Sequence, residues 1–396
     1  MTSENTIRAG LAGAGFAATF HAECIRQVSG VDVELVGTYA PPREEREEFA
    51  QEHGVRAFDS LDELLDNVDV VHVCTPPVVH EDIAVAALEK DKSAVVEKPL
   101  TGYFGDGSDD FHGDEFPKQD ALDAAVDSVQ RIMDAEASSE GQICYAENWV
   151  YIPAIQKERE ILEKTEGQIL WIHGEEAHSG SHSDDYGFWE RAGGGVMLSK
   201  GCHPLTAALY LKRVEGQVRY GEPIRPKTVS AHAHAITRSE NFQDEGHIRC
   251  NYHDIDDFSG MHIRFDDGMV ADIFASDIIM GGIHNWLEVA ANNHRTTCNV
   301  NPNTAMETYN PREENFADIY TVEKAETKQG WSFTSPDEKW FTGYPHEMEA
   351  FYRNVAEGTR PESNVHLGGD CITTIYTAYV SAENDGAETE IELPWG

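Results

Sequence analysis

The chain has 396 residues, of which 40% are hydrophobic and 26% are charged, a balance that indicates a globular protein large enough for two domains. Acidic residues outnumber basic ones by 71 to 30, giving a formal net charge of −41, and such a surface repels nucleic acid and anionic membranes. No apolar run approaches the roughly 20 residues of a membrane-spanning helix, and no signal-peptide pattern begins the chain. We therefore expect a cytoplasmic protein without nucleic-acid or membrane partners.

The acidic excess also predicts a salt-adapted, haloarchaeal source. High salt screens repulsion between surface carboxylates, because the Debye length falls to about 3 Å at 1 M. An ordinary acidic protein is the alternative. The 7 cysteines are dispersed and form no C-x-x-C pair, which argues against a disulfide framework and a structural zinc site.

Strand-like and helix-like segments alternate along residues 1–150, which predicts an α/β domain with a parallel sheet. The predicted strands are residues 7–12, 33–39, 68–75, 93–97 and 143–146, and the predicted helices are 16–28, 42–53, 60–67, 81–89 and 120–137. Residues 102–119 are rich in Gly, Asp and Phe and are predicted to form an exposed loop.

The pattern changes after residue 150. A helix is predicted at 152–164, a strand at 169–173 and a polar loop at 178–186. Segments 228–237, 260–265, 269–276 and 285–290 have the alternation of strands in a mixed or antiparallel sheet, and helices at 346–357 and 370–382 follow. Residues 151–396 are thus predicted to form a second α/β domain with a large open sheet.

The turn between the first strand and the first helix carries a G-x-G-x-x-A pattern, from Gly13 to Ala18. Gly13 permits a tight turn, Gly15 lets a diphosphate approach the backbone, and Ala18 lets helix and strand pack closely. The helix that begins at Phe16 would direct its N-terminal amides toward the phosphates. This context predicts that residues 1–150 are an NAD(P)-binding Rossmann domain, with an ordinary glycine-rich turn as the alternative.

The end of the second strand bears on the choice between NAD and NADP. Residues 38–43 contain no carboxylate, although a carboxylate there would normally bind the ribose 2′-hydroxyl of NAD. Arg43, near Tyr39, could instead pair with the 2′-phosphate of NADP. NADP is favoured over NAD, and Arg43 as a simple surface charge is nearly as well supported.

Two further motifs extend the pattern beyond a generic dinucleotide fold. Glu97-Lys98-Pro99 lies at the end of the predicted strand 93–97, after Cys74-Thr75-Pro76-Pro77 and His80, and a glycine-rich segment runs from Gly193 to Pro204. In this order and at these separations, the motifs resemble those of the Gfo/Idh/MocA oxidoreductases over essentially the whole chain. The resemblance implies a Rossmann domain followed by an open-sheet domain, a homodimer or homotetramer, and hydride transfer to or from a sugar-like or polyol-like substrate.

The resemblance implies catalytic roles for Lys98 and His203. Lys98 matches a lysine that faces substrate and nicotinamide, and burial beside a nicotinamide cation is expected to lower its pKa. His203 matches a histidine that serves as acid or base. Ser199 stands where that motif usually has an aspartate, so we expect His203 to lack a partner that would raise its basicity.

Further binding residues are inferred from their positions near these motifs. The predicted cofactor contacts are Gly13, Gly15, Phe16, Ala18, Tyr39, Arg43, Thr75, Pro76, His80, Glu97, Lys98 and Asn148. The predicted substrate contacts are Lys98, Tyr103, Trp149, His178, His182, Ser199 and His203, with Tyr186 and Trp189 as further sugar platforms. Lys200 is predicted to be a solvated helix charge. No metal is expected, because His173, His178 and His182 fall on a strand end and a loop and not on one helix face.

Three functions fit these residues. The leading one is an NAD(P)-dependent dehydrogenase or reductase acting on a sugar, cyclitol or sugar derivative. A second is a glycoside hydrolase in which a bound nicotinamide oxidises the sugar transiently and is then regenerated. A third is a regulator that binds dinucleotide without chemistry, which the presence of Lys98 and His203 disfavours and Ser199 slightly favours.

Overall fold

Two β-sheets organise the computed structural model, which describes residues 6–108, 110–181, 183–300, 306–321, 324 and 327–395. The first sheet has six parallel strands in the order β3-β2-β1-β4-β5-β6. These strands are β1 Ile7–Ala12, β2 Val33–Tyr39, β3 Arg56–Ala57, β4 Val70–Val73, β5 Ser93–Glu97 and β6 Ile143–Ala146. The helices among them are α1 Phe16–Ile25, α2 Arg43–His53, α3 Leu61–Asn67, α4 His80–Leu88 and α5 Lys118–Ala137.

This strand order confirms the predicted Rossmann domain. The order reverses at β1, and open parallel sheets bind ligands at such a switch point, beyond the carboxyl ends of the strands. β4 to β6 are buried nearly throughout, which explains why they appear in the sequence as unbroken apolar runs.

The second sheet has seven strands in the order β12-β11-β7-β10-β9-β8-β15. Its strands are β7 Ile169–Ala177, β8 Pro226–His234, β9 Phe258–Phe265, β10 Val270–Ser276, β11 His284–Ala291, β12 Arg295–Asn299 and β15 Thr389–Glu390. β7 and β10 pair in parallel and the other neighbours are antiparallel, which confirms the predicted mixed sheet. β13 Glu307–Asn310 and β14 Gly330–Phe333 form a separate two-stranded ribbon.

Seven helices accompany this sheet in the described residues: α6 Pro153–Thr165, α7 Trp189–Ala192, α8 Val196–Ser199, α9 Cys202–Tyr220, α10 Glu338–Phe341, α11 Tyr344–Glu357 and α12 Val365–Glu383. The sequence analysis did not predict α9. Its first eleven residues are all buried, so the helix lacks the polar stripe that reveals an amphipathic helix.

The last two long helices join the two sheets. α11 packs on α1, and α12 packs on both α5 and β8. On α11, the Glu349 carboxylate accepts hydrogen bonds from the backbone of Ser29 and Gly30 in the first domain. The domain boundary at residue 150 therefore stays a prediction. Helices that follow residue 150 in the sequence also pack on the first domain.

The segment after β5 contains residues 102–119, for which an exposed loop was predicted. Phe111 and Phe116 pack against Tyr103, and Phe116 also contacts Trp189 of α7. The backbone N–H of Gly113 is buried and donates to Asp254 at 2.7 Å. The segment is largely an exposed loop as predicted, but it is anchored at Gly113 and at its half-buried aromatic side chains, one of which packs on the second domain.

Every helix in the described part of the chain is too short or too polar to cross a membrane.

Candidate active site

A cleft of about 440 Å³ lies where the glycine turn and the end of β5 face the second domain. Residues from both domains line it: Phe16, Phe20, Glu97, Lys98, Glu176, His178, Tyr186, Ser199, Lys200, His203 and Tyr344 are among them. The cleft lies at the edge of the parallel sheet where ligands of this fold class bind.

The glycine turn has the geometry that its residue types predict. Gly13 has a φ of +125°, and a Cβ there would lie 2.3 Å from the carbonyl oxygen of Cys74. Gly15 caps α1, and no atom lies within 4 Å of the position of its missing Cβ. Phe16 is 69% exposed and Ala18 is fully buried. Only glycine fits at Gly13, whereas Gly15 leaves open space at the helix N-terminus.

This open space fits a dinucleotide. Unpaired amides at the first turn of a helix bind phosphate groups, and the space above Gly15 lets a diphosphate reach them. The hydroxyl of Thr75, at the end of β4, is buried without a hydrogen-bond partner, and a ribose hydroxyl could satisfy it. Pro76 beside it is exposed. The residues that could hold a dinucleotide are therefore Gly13, Gly15, Thr75 and Pro76.

Near the end of β2, an exposed arginine is paired with a glutamate. Tyr39 is half-buried. The side chain of Arg43 is 78% exposed, and its Nε donates to Glu47 at 2.7 Å. Arg43 is thus accessible to a ligand phosphate, but it already has an anionic partner one helical turn away.

His80 and Glu97 hydrogen-bond to groups at the strand ends, and of the two only Glu97 is among the residues that line the cleft. The two ring nitrogens of His80 lie 2.8 Å from the Pro99 carbonyl and 3.0 Å from the Thr75 carbonyl. Glu97 Oε1 lies 2.8 Å from the ring of His21. Burial raises the pKa of Glu97, but the hydrogen bond to His21 and the charges of His21 and Lys98 bring it below its ordinary value.

Lys98 reaches across the cleft. Its Nζ donates to the backbone carbonyl of Ser199 at 2.9 Å. Burial lowers the pKa of Lys98, but its surroundings, chiefly Tyr186, Cys202, Glu176 and Glu97, outweigh burial and raise it above the ordinary value. The expected lowering is therefore wrong for the protein alone, because acidic groups surround the ammonium.

His203, in the first turn of α9, lies between two carboxylates. Its Nδ1 lies 2.6 Å from Glu147 Oε1, and its Nε2 lies 3.9 Å from Glu176 Oε2. The ring stacks on Trp149 with 6.1 Å between centroids. His203 therefore has a carboxylate partner although Ser199 replaces the expected aspartate, which corrects the expectation of an unpartnered imidazole.

The turn that carries Ser199 is held by a buried aspartate. Asp256 accepts hydrogen bonds from the backbone N–H of Met197 and the hydroxyl of Tyr379. A Cβ on Gly195 would lie 2.2 Å from Asp256 Oδ1, so the glycine allows this close approach. Burial, only partly offset by these donors, raises the pKa of Asp256 to about 6.

Lys200 is buried, which contradicts the prediction of a solvated charge. Its Nζ lies 2.7 Å from Asp277 Oδ1, and both side chains are at most 5% exposed. Asp277 also accepts a hydrogen bond from Tyr252 and lies 3.4 Å from the His178 ring. The cleft therefore contains a second lysine and a second histidine, held by one carboxylate.

Several predicted ligand contacts lie away from the cleft. The Asn148 side chain donates to the Thr342 carbonyl at 2.7 Å, in the segment before α11. Trp149 is buried behind His203. Tyr103 packs against Phe111 and accepts at its carbonyl from the indole of Trp189. Tyr186 and His178 do line the cleft, and His182 lies outside the described residues.

The sequence analysis missed Glu147 and Glu176 as site residues. Glu147 comes directly after β6, and the carboxyl ends of parallel strands meet at one edge of the sheet, so its position was a usable signal. Glu176 lies near the end of β7. The adjacent polar residues Glu175 and Glu176 show no alternation with apolar ones, so the sequence did not indicate that Glu176 is buried.

One group in the described residues has the residue types of a metal site. Potential ligand atoms of Glu147, Cys202 and His203 all lie within 4.8 Å of one another. However, the 2.6 Å between His203 Nδ1 and Glu147 Oε1 is a hydrogen-bond distance. Because a zinc ion stands about 2.0 Å from each such ligand, that contact leaves no room for an ion between these two atoms.

Two models of one protein family match the chain. Residues 7–109 match the model described as the oxidoreductase family with an NAD-binding Rossmann fold, and residues 155–295 match the GFO/IDH/MocA C-terminal domain. Together these segments span well over half of the 396 residues.

Curated relatives align over one segment only. Glucose-6-phosphate 3-dehydrogenase of Bacillus subtilis is 34% identical over 91 residues, which is 23% of this chain and 25% of that protein. UDP-N-acetylglucosamine 3-dehydrogenase of Acidithiobacillus ferrooxidans is 35% identical over 95 residues, 24% of this chain and 29% of that protein. The matched segments thus span less than a third of each relative.

A solved structure extends the likeness of fold to the whole chain. The crystal structure of GenD2 from gentamicin A biosynthesis, in complex with NAD, has a TM-score of 0.78. The superposition covers 98% of this chain and 97% of that chain at 22% identity. At this identity the match supports the two-domain fold alone.

Proposed function

Since the chain belongs to the Gfo/Idh/MocA oxidoreductase family, we propose that it is an NAD(P)-dependent dehydrogenase or reductase. Its reaction moves a hydride between nicotinamide and a carbinol or ketone carbon of a sugar, cyclitol or sugar derivative. The names of the matched relatives, which act on glucose 6-phosphate and UDP-N-acetylglucosamine, support this substrate class. The observation that carries the proposal is that one cleft holds both the ammonium of Lys98 and the imidazole of His203.

The chemistry divides between cofactor and protein. When bound, the nicotinamide supplies or receives the hydride. The Lys98 ammonium stabilises negative charge on the reacting oxygen, and its high pKa suits that role better than proton abstraction. His203 takes the hydroxyl proton during oxidation and returns it during reduction. Lys200 and His178, which also line the cleft, hydrogen-bond further substrate hydroxyls.

NADP is the proposed cofactor, with NAD as the alternative. The absence of a carboxylate at residues 38–43 removes a group that would repel a 2′-phosphate, and the exposed guanidinium of Arg43 can pair with one. Glu47 competes for that guanidinium, so the preference is modest.

The oligomeric state and the cellular location are proposed from the half-buried aromatic residues and the net charge. Aromatic rings of Trp171, His173, Phe274 and Trp286 contact one another on the second sheet and are only half-buried, which supports a homodimer or homotetramer formed through that face. The net charge of −41 supports a cytoplasmic protein of a halophilic archaeon, without nucleic-acid or membrane partners.

The test is a substrate panel in multimolar KCl with NAD⁺ and NADP⁺. Glucose 6-phosphate, UDP-N-acetylglucosamine, myo-inositol and other hexoses, pentoses and cyclitols are supplied, and the absorbance of reduced nicotinamide is followed. The expected result is reduction that disappears in Lys98→Met and persists in Lys90→Met, a surface lysine paired with Asp66. Glycoside cleavage without net nicotinamide reduction would instead identify a hydrolase. Dinucleotide binding without any turnover would identify a regulator.

A further inference from the structure

We propose that Glu147 is the positioning residue of His203, holding the imidazole with its hydrogen on Nδ1 so that Nε2 is free to accept the substrate proton. The chemical half of this inference rests on the proposed function. The geometric half concerns the tautomer of one histidine and can be measured without any substrate.

The burial of Glu147 is the first argument. Its side chain is 0% exposed, and Oε1 lies 2.6 Å from His203 Nδ1. The backbone N–H of Trp149 donates to the same oxygen at 3.3 Å, while Oε2 is buried without a hydrogen-bond partner. A buried carboxylate with so few donors is costly unless a strong donor or a cation compensates it. His203 is the side chain in position to do so.

The chemistry of the two groups then sets the tautomer. An ionised carboxylate only accepts hydrogen bonds, and a neutral imidazole has one N–H and one bare nitrogen. In the proposed pairing the Nδ1–H donates to the Glu147 carboxylate at 2.6 Å, and the neutral ring then leaves Nε2 bare. Stacking on Trp149 at an interplanar angle of 21° restricts rotation of the ring out of this orientation.

The position of Nε2 completes the geometry. His203 and Glu176 line the cleft, and Nε2 lies 3.9 Å from Glu176 Oε2, too far for a hydrogen bond. Glu147 lies behind the imidazole and the cleft lies in front of it. The carboxylate behind His203 is that of Glu147, the residue directly after β6 of the first domain.

The proton balance of the oxidation follows. A bound oxidised nicotinamide would accept the carbinol hydrogen together with its bonding electrons as hydride, and the hydroxyl proton goes to Nε2 of His203. His203 becomes an imidazolium, and the carboxylate of Glu147 at its Nδ1 stabilises that charge. The proton then leaves Nε2 for solvent through the cleft, which restores the neutral ring.

The experiment compares Glu147→Gln with Glu158→Gln. Glu158 is a matched control because it too is fully buried, has an unpartnered oxygen, and lies 2.8 Å from a histidine ring, that of His294, between α6 and β12. The ¹⁵N signals of His203 are assigned by their loss in His203→Gln. Wild type and Glu158→Gln are expected to show the Nδ1–H tautomer, and Glu147→Gln a shift toward Nε2–H, since a glutamine amide can donate to Nδ1.

Kinetics supply the second readout. On any panel substrate that wild type oxidises, Glu147→Gln should lower kcat on the order of 10²- to 10⁴-fold with KM changed only a few-fold, while Glu158→Gln keeps wild-type kcat. Should Glu147→Gln not fold, Glu147→Asp keeps the charge and should show the Nδ1–H signal with an intermediate kcat.

The inference is overturned if Glu147→Gln retains the Nδ1–H signal and a kcat within threefold of wild type, or if Glu147→Asp moves the hydrogen to Nε2. Absence of any oxidation by wild type would refute the proposed function instead, and the tautomer measurement would still decide the role of Glu147.

Discussion

Lys98 at the end of β5 donates from Nζ to the carbonyl oxygen of Ser199 at 2.9 Å, and this hydrogen bond joins the Rossmann domain to the short helix α8. The ammonium is thereby fixed at the junction of the two domains, in the cleft that also contains His203. A lysine held by a backbone carbonyl keeps further N–H groups for a ligand oxygen.

Lys98→Met is expected to lower kcat/KM on the order of 10²- to 10⁴-fold. Methionine keeps much of the length and packing of lysine but removes the charge that stabilises the reacting oxygen. Because the pKa of Lys98 is raised, its protonation should not limit the wild-type rate anywhere between neutral pH and the ordinary lysine range. The measurement is a pH–rate profile of both proteins, together with fluorescence titration of cofactor binding, which should change little. A variant within threefold of wild type would show that the ammonium plays no part in the reaction.

Glu347→Gln is expected to stabilise the fold at neutral and alkaline pH by about 1–3 kcal/mol. Glu347 is fully buried on α11, and neither carboxylate oxygen has a partner. Burial, with smaller contributions from Glu97 and Glu147, raises its pKa well above 4.5. When folding raises the pKa of a carboxyl, the free energy of unfolding falls as the pH rises through the folded-state pKa. Glutamine avoids that loss, so its benefit should appear in denaturant unfolding at pH 8 and vanish below the ordinary glutamate pKa.

Glu349→Gln, two residues along the same helix, provides the opposite control. Burial alone would raise the pKa of Glu349, but hydrogen bonds from Ser29, Gly30 and Arg353 lower it below the ordinary value. Its contribution is therefore present above the ordinary glutamate pKa and is lost as the pH falls through the folded-state value. Glu349→Gln should destabilise the protein at pH 8. Equal effects of both variants at that pH would refute the assigned environments.

Much of the fold could be predicted because it depends on local pattern. β1, β2, β5 and β6 have the predicted bounds, and β5 and β6 are the short, buried and largely apolar runs that mark a parallel strand in the sequence. β7 extends four residues beyond its predicted end at 173. Its last residues, such as Glu175 and Glu176, are paired on both sides by β10 and β11, and this long-range pairing left no local trace in the sequence.

The site was only partly predictable, for a related reason. Lys98 and His203 belong to local motifs and lie in one cleft, and their roles stay predictions. Asn148 and Trp149 follow β6, but the chain turns there into a short helical segment, Asn148–Tyr151, that buries both side chains. Glu147, one residue earlier, contacts His203 instead. Which of these three adjacent residues hydrogen-bonds His203 depends on that turn and not on residue type.

Arg43→Ala is expected to raise KM for NADP a few-fold, because it removes the exposed guanidinium that would pair with the 2′-phosphate. KM for NAD should stay within twofold. Glu47→Gln is the matched opposite, since it frees the Arg43 guanidinium from its partner at 2.7 Å and should lower KM for NADP. Steady-state kinetics with both cofactors measure the ratio. If Arg43→Ala leaves that ratio unchanged, Arg43 is only a surface charge.

Stability should rise with salt, because the net charge of −41 makes the folded surface repel itself in dilute buffer. The Debye length falls from about 30 Å at 0.01 M salt to about 3 Å at 1 M, so most of the change in screening occurs below about 1 M. Most of the gain in unfolding midpoint should therefore come below about 1 M KCl. Thermal unfolding across a KCl series measures this. An uncharged osmolyte at equal osmolality is the control, since it cannot screen charge and should give a smaller gain at low concentration. A midpoint that is highest without salt would contradict the proposed adaptation to salt.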